Sequence, residues 1–99
     1  MVKLVAFYRK PADPAAFDQH YHTVHIPLIQ RMPGLRRVEV AKITGAVGGE
    51  PPYYLLAEMY FDDADTLRAA LRSAEGRAAG EDLQKFAPGL VTMVYAQVS

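Results

Sequence analysis

The chain has 99 residues, 51% of them hydrophobic, and 11 Lys plus Arg balance 11 Asp plus Glu, so the formal charge is zero. A chain this short forms one small domain that buries only about two-thirds of its unfolded surface and gains from a partner. With no cysteine, disulfides, thiolate metal sites and a cysteine nucleophile are excluded, and the scattered Lys and Arg offer no basic patch to nucleic acid or an anionic membrane.

Residues 2 to 9 carry Val2, Leu4, Val5, Phe7 and Tyr8 ahead of Lys10-Pro11, a first strand closed by turn residues. The segment is too short and too soon charged for a signal peptide, and no apolar run reaches membrane-spanning length, so the expected location is cytoplasmic. Asp13 before Pro14 pairs an N-cap with the first helical position, and Phe17, Tyr21, Val24, Leu28 and Met32 then fall on one stripe of an amphipathic helix. Pro27 lies inside it and predicts a kink or break near residue 26.

After Pro33-Gly34, residues 35 to 44 read as a half-buried second strand, and residues 45 to 52 as a loose loop. Tyr53 to Phe61 is the densest strand signal. Asp62-Asp63 caps a helix with Leu67, Ala70, Leu71 and Ala74 on one face, and Ala79, Leu83 and Phe86 mark a second, shorter helix or a bent continuation past Gly76 and Gly80. Glu81-Asp82 reads as another pair of charges at a helix start. Leu90 to Val98 closes the order strand, helix, strand, strand, helix, strand, whose natural architecture is an α+β, ferredoxin-like, four-stranded antiparallel sheet with helices on one face, over residues 1–99 as a single domain.

The strands do not alternate cleanly. In the first, Val2, Leu4, Ala6 and Tyr8 oppose Lys3, Val5, Phe7 and Arg9; in the last, Val91, Met93 and Tyr95 oppose Thr92, Val94, Ala96 and Val98. Helices cover one face, and an apolar second face predicts homodimerisation sheet to sheet.

Three histidines, His20, His22 and His25, crowd the first helix. At about 100° per residue no single face presents all three, so they are read as no metal site, although His22 and His25 are helical neighbours. His25 alone faces inward, beside Tyr21 and Leu28. It is either a proton-exchanging group at neutral pH or a core-edge histidine bonded to a carbonyl such as that of Thr23. Tyr21 would supply one hydrogen bond beside it, and Phe17, Val24, Leu28, Leu83 and Phe86 the apolar walls of a pocket for a small apolar molecule. No Gly-rich phosphate loop or other cofactor motif occurs.

Phe17 with Tyr21, then His25-Ile26-Pro27-Leu28, then Pro33-Gly34-Leu35, resembles the start of EthD domains, of the dimeric α+β barrel superfamily. The Tyr53 to Phe61 run and the stretch from Ser73 through Gly76 to Asp82-Leu83 and Phe86-Ala87 are similar too. The resemblance implies a homodimer with a pocket between sheet and helices in each subunit, and carries over His25, with Tyr21 as companion, while giving His20 and His22 no role. It also implies a choice of functions. One is a cofactor-free enzyme of isomerase, cyclase or monooxygenase type acting on aromatic, lactone or polyketide-like metabolites, with His25 as general acid or base. Another is a non-catalytic binding or accessory protein for an oxygenase system of the kind that degrades ethyl tert-butyl ether. The last is a haem-binding protein with His25 as axial ligand.

Overall fold

The computed structural model describes residues 1–99. Four strands, β1 (Val2–Tyr8), β2 (Arg37–Lys42), β3 (Leu55–Phe61) and β4 (Val91–Gln97), form one sheet in the order β2-β3-β1-β4. Every neighbouring pair is antiparallel. The two inner strands are the most apolar, β1 and β3, as strands packed on both sides should be. The helices α1 (Pro14–His20), α2 (Ile26–Gln30), α3 (Ala64–Arg72) and α4 (Ala74–Phe86) accompany them in the ferredoxin-like order expected from the chain. No helix is long and apolar enough to cross a membrane.

The register assigns the faces that the mixed alternation left open. Leu4, Ala6 and Tyr8 of β1 align with Met59, Ala57 and Leu55 of β3 and with Tyr95, Met93 and Val91 of β4. This set meets the helices, and most of it joins Phe17, Tyr21, Leu67 and Leu83 in one core. The other parity, including Val5, Phe7, Leu56 and Val94, forms the opposite face, on which no helix packs.

The caps follow the sequence. Asp13 accepts from the backbone N–H of Ala16 at 3.1 Å, and Asp63 from that of Thr66 at 2.8 Å, each satisfying a helix-start donor. The interruption expected near residue 26 takes a specific form: between α1 and α2, Tyr21–His25 forms one π-helical turn, with right-handed helical backbone before and after it, and the Ile26 N–H reaches back five residues to the Tyr21 carbonyl. Widening the turn ahead of Pro27 accommodates the missing donor.

The last helix is also longer than expected. α4 spans 13 residues against 9 for α3, begins at Ala74, and is capped by the Ser73 hydroxyl accepting from Gly76 N–H at 3.0 Å. Glu81 and Asp82 therefore lie well inside a helix rather than at its start. Gly76 does not weaken this helix so much as permit it, because a Cβ there would collide with the carbonyl oxygen of Ala70 and the backbone of Leu71 where α3 and α4 meet.

Candidate functional site

The π-helical turn lies in the middle of the first helical segment. Tyr21 and His25, four apart, share a face in either kind of turn and are 0% and 3% exposed. The wider turn, advancing less around the axis per residue, brings His25 round toward the side of His20 five residues earlier. Val24 is turned out instead, 40% exposed. His25 Nδ1 lies 2.9 Å from Asp82 Oδ2, across the junction between the helical turn and α4. A carboxylate only accepts hydrogen bonds, so Nδ1 carries the hydrogen and Nε2 is left with the lone pair.

Asp82 has a second imidazole partner. His20 Nε2, from the end of α1, lies 2.9 Å from Oδ1 and 3.0 Å from Oδ2, and its ring stacks on Phe86 at 4.7 Å between centroids. No single face presents all three histidines, as the wheel expects, but His20 and His25 share one carboxylate while His22 stays exposed. The Asp82 side chain is only 11% exposed, that of His20 34%. Burial lowers the pKa of His25 below the ordinary imidazole value; the Asp82 hydrogen bond and charge pull it back up, and the His20 charge pushes it down again.

His25 lines a cavity of about 70 Å³ between sheet and helices, with Leu4, Ala6, Tyr8, Met59 and Met93 on the sheet side. Ile29, Met32, Leu71, Gly76, Ala79, Gly80 and Leu83 close the helical side. Gly80 and Met93, the two exposed residues of this lining, mark its opening. The Tyr8 phenol is the other polar group of the wall. Its ionisation is pushed far up by burial, and further by the adjacent Tyr21 hydroxyl and the Asp82 charge, so it is a protonated donor throughout the working pH range.

A roomier groove of about 320 Å³ runs between α3 and β4, past Leu67, Arg68 and Tyr95. It lies away from the linked histidines and carboxylate, so the chemistry is concentrated in the smaller cavity. That volume is well below the roughly 300 Å³ at which pockets begin to enclose drug-sized ligands. A haem on His25 does not fit in it.

Of the residues expected to form the site, His25 and Leu83 share this wall. Tyr21 lies behind it, stacked on Phe17 at 5.8 Å and edge-on to Tyr8 at 5.4 Å, with its hydroxyl buried and lacking a hydrogen-bond partner. Phe17 and Phe86 instead flank His20 in an outer groove, half-buried Leu28 lines a separate groove with Arg31, and Val24 is exposed. Phe17, Val24 and Leu28 lie on the segment that the π-helical turn interrupts, and Phe86 sits at the end of α4 against the His20 ring. Asp82, His20 and Tyr8 are the additions. Asp82 had a signal in the chain: it stands between Ala79 and Phe86 on the apolar stripe of α4, where a carboxylate needs a partner.

Residues 9–89 match the EthD domain family. The chain is 40% identical over 95 residues, 96% of its length and 92% of the relative's, to an uncharacterized 11.0 kDa protein in the thcB-thcC intergenic region of Rhodococcus erythropolis. It superposes with TM-score 0.96 and 45% identity on the crystal structure of an EthD family protein from Bacillus halodurans, covering 100% of this chain and 99% of that one. The fold alone is shared with a dimeric ferredoxin-like protein of Thermobifida fusca, at TM-score 0.74, 17% identity and coverage of 98% and 90%. It is shared likewise with SnoaB, a cofactor-independent oxygenase of Streptomyces nogalater, at TM-score 0.66, 18% identity and coverage of 99% and 90%. With the family match spanning most of the residues and near-complete overlap with an EthD structure, this chain belongs to the EthD domain family.

Proposed function

We propose that the protein is a cofactor-free acid–base enzyme acting on a small apolar carbonyl metabolite, of the aromatic, lactone or polyketide-like kind, with His25 as the proton-transferring residue. The observation that carries this reading is the buried Asp82 carboxylate 2.9 Å from His25 Nδ1, on a ring that lines the cavity. The carboxylate fixes the tautomer and compensates the imidazolium that forms when Nε2 accepts a proton.

In an isomerisation, Nε2 removes a proton from carbon next to the substrate carbonyl. The C–H electron pair moves into the new C=C bond, and the carbonyl π pair moves to oxygen, which accepts a hydrogen bond from the Tyr8 hydroxyl. Where the substrate carries a β,γ-double bond this enolate is a dienolate, and the same Nε2–H then protonates its γ-carbon as the double bond shifts to the α,β position and the carbonyl re-forms. Cyclisation uses the same enolate as a carbon nucleophile. A positioned acid–base group contributes about 10²- to 10⁴-fold in rate, enough where the carbon is already acidic. That SnoaB is described as a cofactor-independent oxygenase supports chemistry of this cofactor-free kind within the fold.

The active unit we propose is a homodimer in which two sheets pack through the faces bearing Val5, Phe7, Leu56 and Val94. The apolar character of this face supports it, as does the description of the Thermobifida fusca neighbour as dimeric.

A second reading, a binding or accessory protein for an oxygenase system, is favoured by the mostly apolar lining of the cavity. One experiment separates the two. Deuterium uptake from heavy water into a panel of enolisable aromatic ketones and lactones, followed by NMR, is expected with the wild-type protein and lost in a folded His25→Gln variant. Uptake that persists in that variant removes His25 from the mechanism, and retention of a panel compound without exchange favours the binding protein.

A further inference from the structure

We propose that His20 is a positioning residue that shares a single positive charge with His25 across Asp82, so that a proton gained in the cavity is balanced by one released at the surface. The inference rests on the acid–base reading of His25 for its use, but not for its test.

The geometry is a bridge from inside to outside. His25, 3% exposed, faces the inner cavity. Asp82 lies between the rings, and its Oδ2 is 2.9 Å from His25 Nδ1 and 3.0 Å from His20 Nε2. His20 is the partly exposed end, and lines an outer groove with Asp13, Phe17, Phe86 and Pro88. Both bridging nitrogens donate to the carboxylate in every charge state, so each ring exchanges its other nitrogen, His25 Nε2 with the cavity and His20 Nδ1 with solvent.

One carboxylate offsets one imidazolium. With His20 charged and His25 neutral, the cluster carries no net charge; when His25 Nε2 takes a substrate proton, loss of the His20 Nδ1 proton to water restores that balance. Two imidazoliums beside a single buried carboxylate would leave an uncompensated charge in a low-dielectric site. No other group facing the cluster takes over the role. Tyr8 from β1 and Tyr21 from the helical turn are held neutral by burial, Asp13 in the outer groove is an exposed carboxylate engaged with the Ala16 N–H, and Glu81, Lys85 and His22 are exposed. The downward push of the His20 charge on His25 is the same coupling seen from the other side.

The test is an NMR titration of the histidine side chains in the full-length protein. Coupled sites titrate in steps that belong to the pair, and removing one member moves the other. In His20→Gln, whose amide still donates to Asp82 but cannot be charged, the His25 midpoint is expected to rise by about one pH unit. A His25 midpoint unmoved in that variant overturns the proposal. Should His20→Gln not fold, the wild-type curves decide: biphasic titration of both rings supports sharing, and two independent single-site curves overturn it. Neither readout needs turnover, so a coupled pair in a protein with no exchange activity would defeat the acid–base reading alone.

Discussion

His25 and Asp82 are 57 residues apart in the chain and joined by a 2.9 Å hydrogen bond in the fold. The bond ties the first helical segment to the last helix across the cavity wall, so it contributes to stability as well as to chemistry. Asp82→Ala leaves the His25 Nδ1–H buried without an acceptor, an expected loss of about 1–3 kcal/mol by urea denaturation. Asp82→Asn keeps one acceptor oxygen and loses less stability, yet removes the charge that compensates imidazolium, so proton exchange falls by about 10²-fold or more. Equal stability of Asp82→Ala and wild type would show that the bond is not made in solution.

Burial holds the folded-state pKa of His25 below the ordinary imidazole value of about 6.5. As pH falls, the unfolded chain therefore takes up this proton before the folded one does. The stability that His25 contributes is complete above about pH 6.5 and is lost as pH falls through the folded-state pKa. As pH drops below about 6.5, the urea midpoint of the wild type should fall more steeply than that of His25→Gln. Parallel curves would mean that the imidazole is not buried neutral.

That histidine was legible in the chain as the inward one, because the apolar stripe of residues 17 to 32 is strong enough to orient a helix. Its partners were not. An α-helical wheel places His20 and His25 about 140° apart, and only the π-helical turn with a carboxylate from α4 brings both to one point. Asp82 was hidden by the helix boundary: Gly76 and Gly80 read as interruptions, so Glu81-Asp82 looked like a start. The order of strands was readable, since Asp13-Pro14, Asp62-Asp63 and the aromatic run before residue 61 punctuate it without ambiguity. Which parity of each strand met the helices was not, because Val5 and Phe7 are as apolar as Leu4 and Tyr8 and only pairing tells them apart.

The two glycines of α4 should separate cleanly on replacement by alanine. At Gly80 a Cβ meets nothing within 4 Å, and its backbone is not in the left-handed region. Gly80→Ala should therefore gain about 0.5–1 kcal/mol from helix propensity and reduced unfolded-state entropy. Gly76→Ala forces a methyl against the Ala70 carbonyl and the Leu71 backbone, so it should lower the thermal midpoint by several degrees or abolish folding. Similar midpoints for the two variants would contradict the close packing of α3 on α4.

The uncovered sheet face offers the last test, at Val94. This residue pairs with Val5 of β1 and is 43% exposed in the single chain. Aspartate there costs a monomer little, because the carboxylate keeps most of its water. Across a face-to-face dimer the same carboxylate would be dehydrated near its symmetry-related copy, and an unpaired buried charge costs several kcal/mol. The cluster of Lys3, Glu58, Arg37 and Tyr60 does not relieve it, since Lys3 is already engaged with Glu58 at 2.6 Å and the Arg37 guanidinium lies 4.1 Å over the Tyr60 ring. Light scattering should find a wild-type dimer at micromolar concentration and a folded monomer for Val94→Asp. A loss of about 3 kcal/mol in association free energy is more than a hundredfold in dissociation constant, well within reach of the measurement. A wild-type monomer, or a Val94→Asp dimer of unchanged affinity, would place the interface elsewhere and leave this apolar face to another partner.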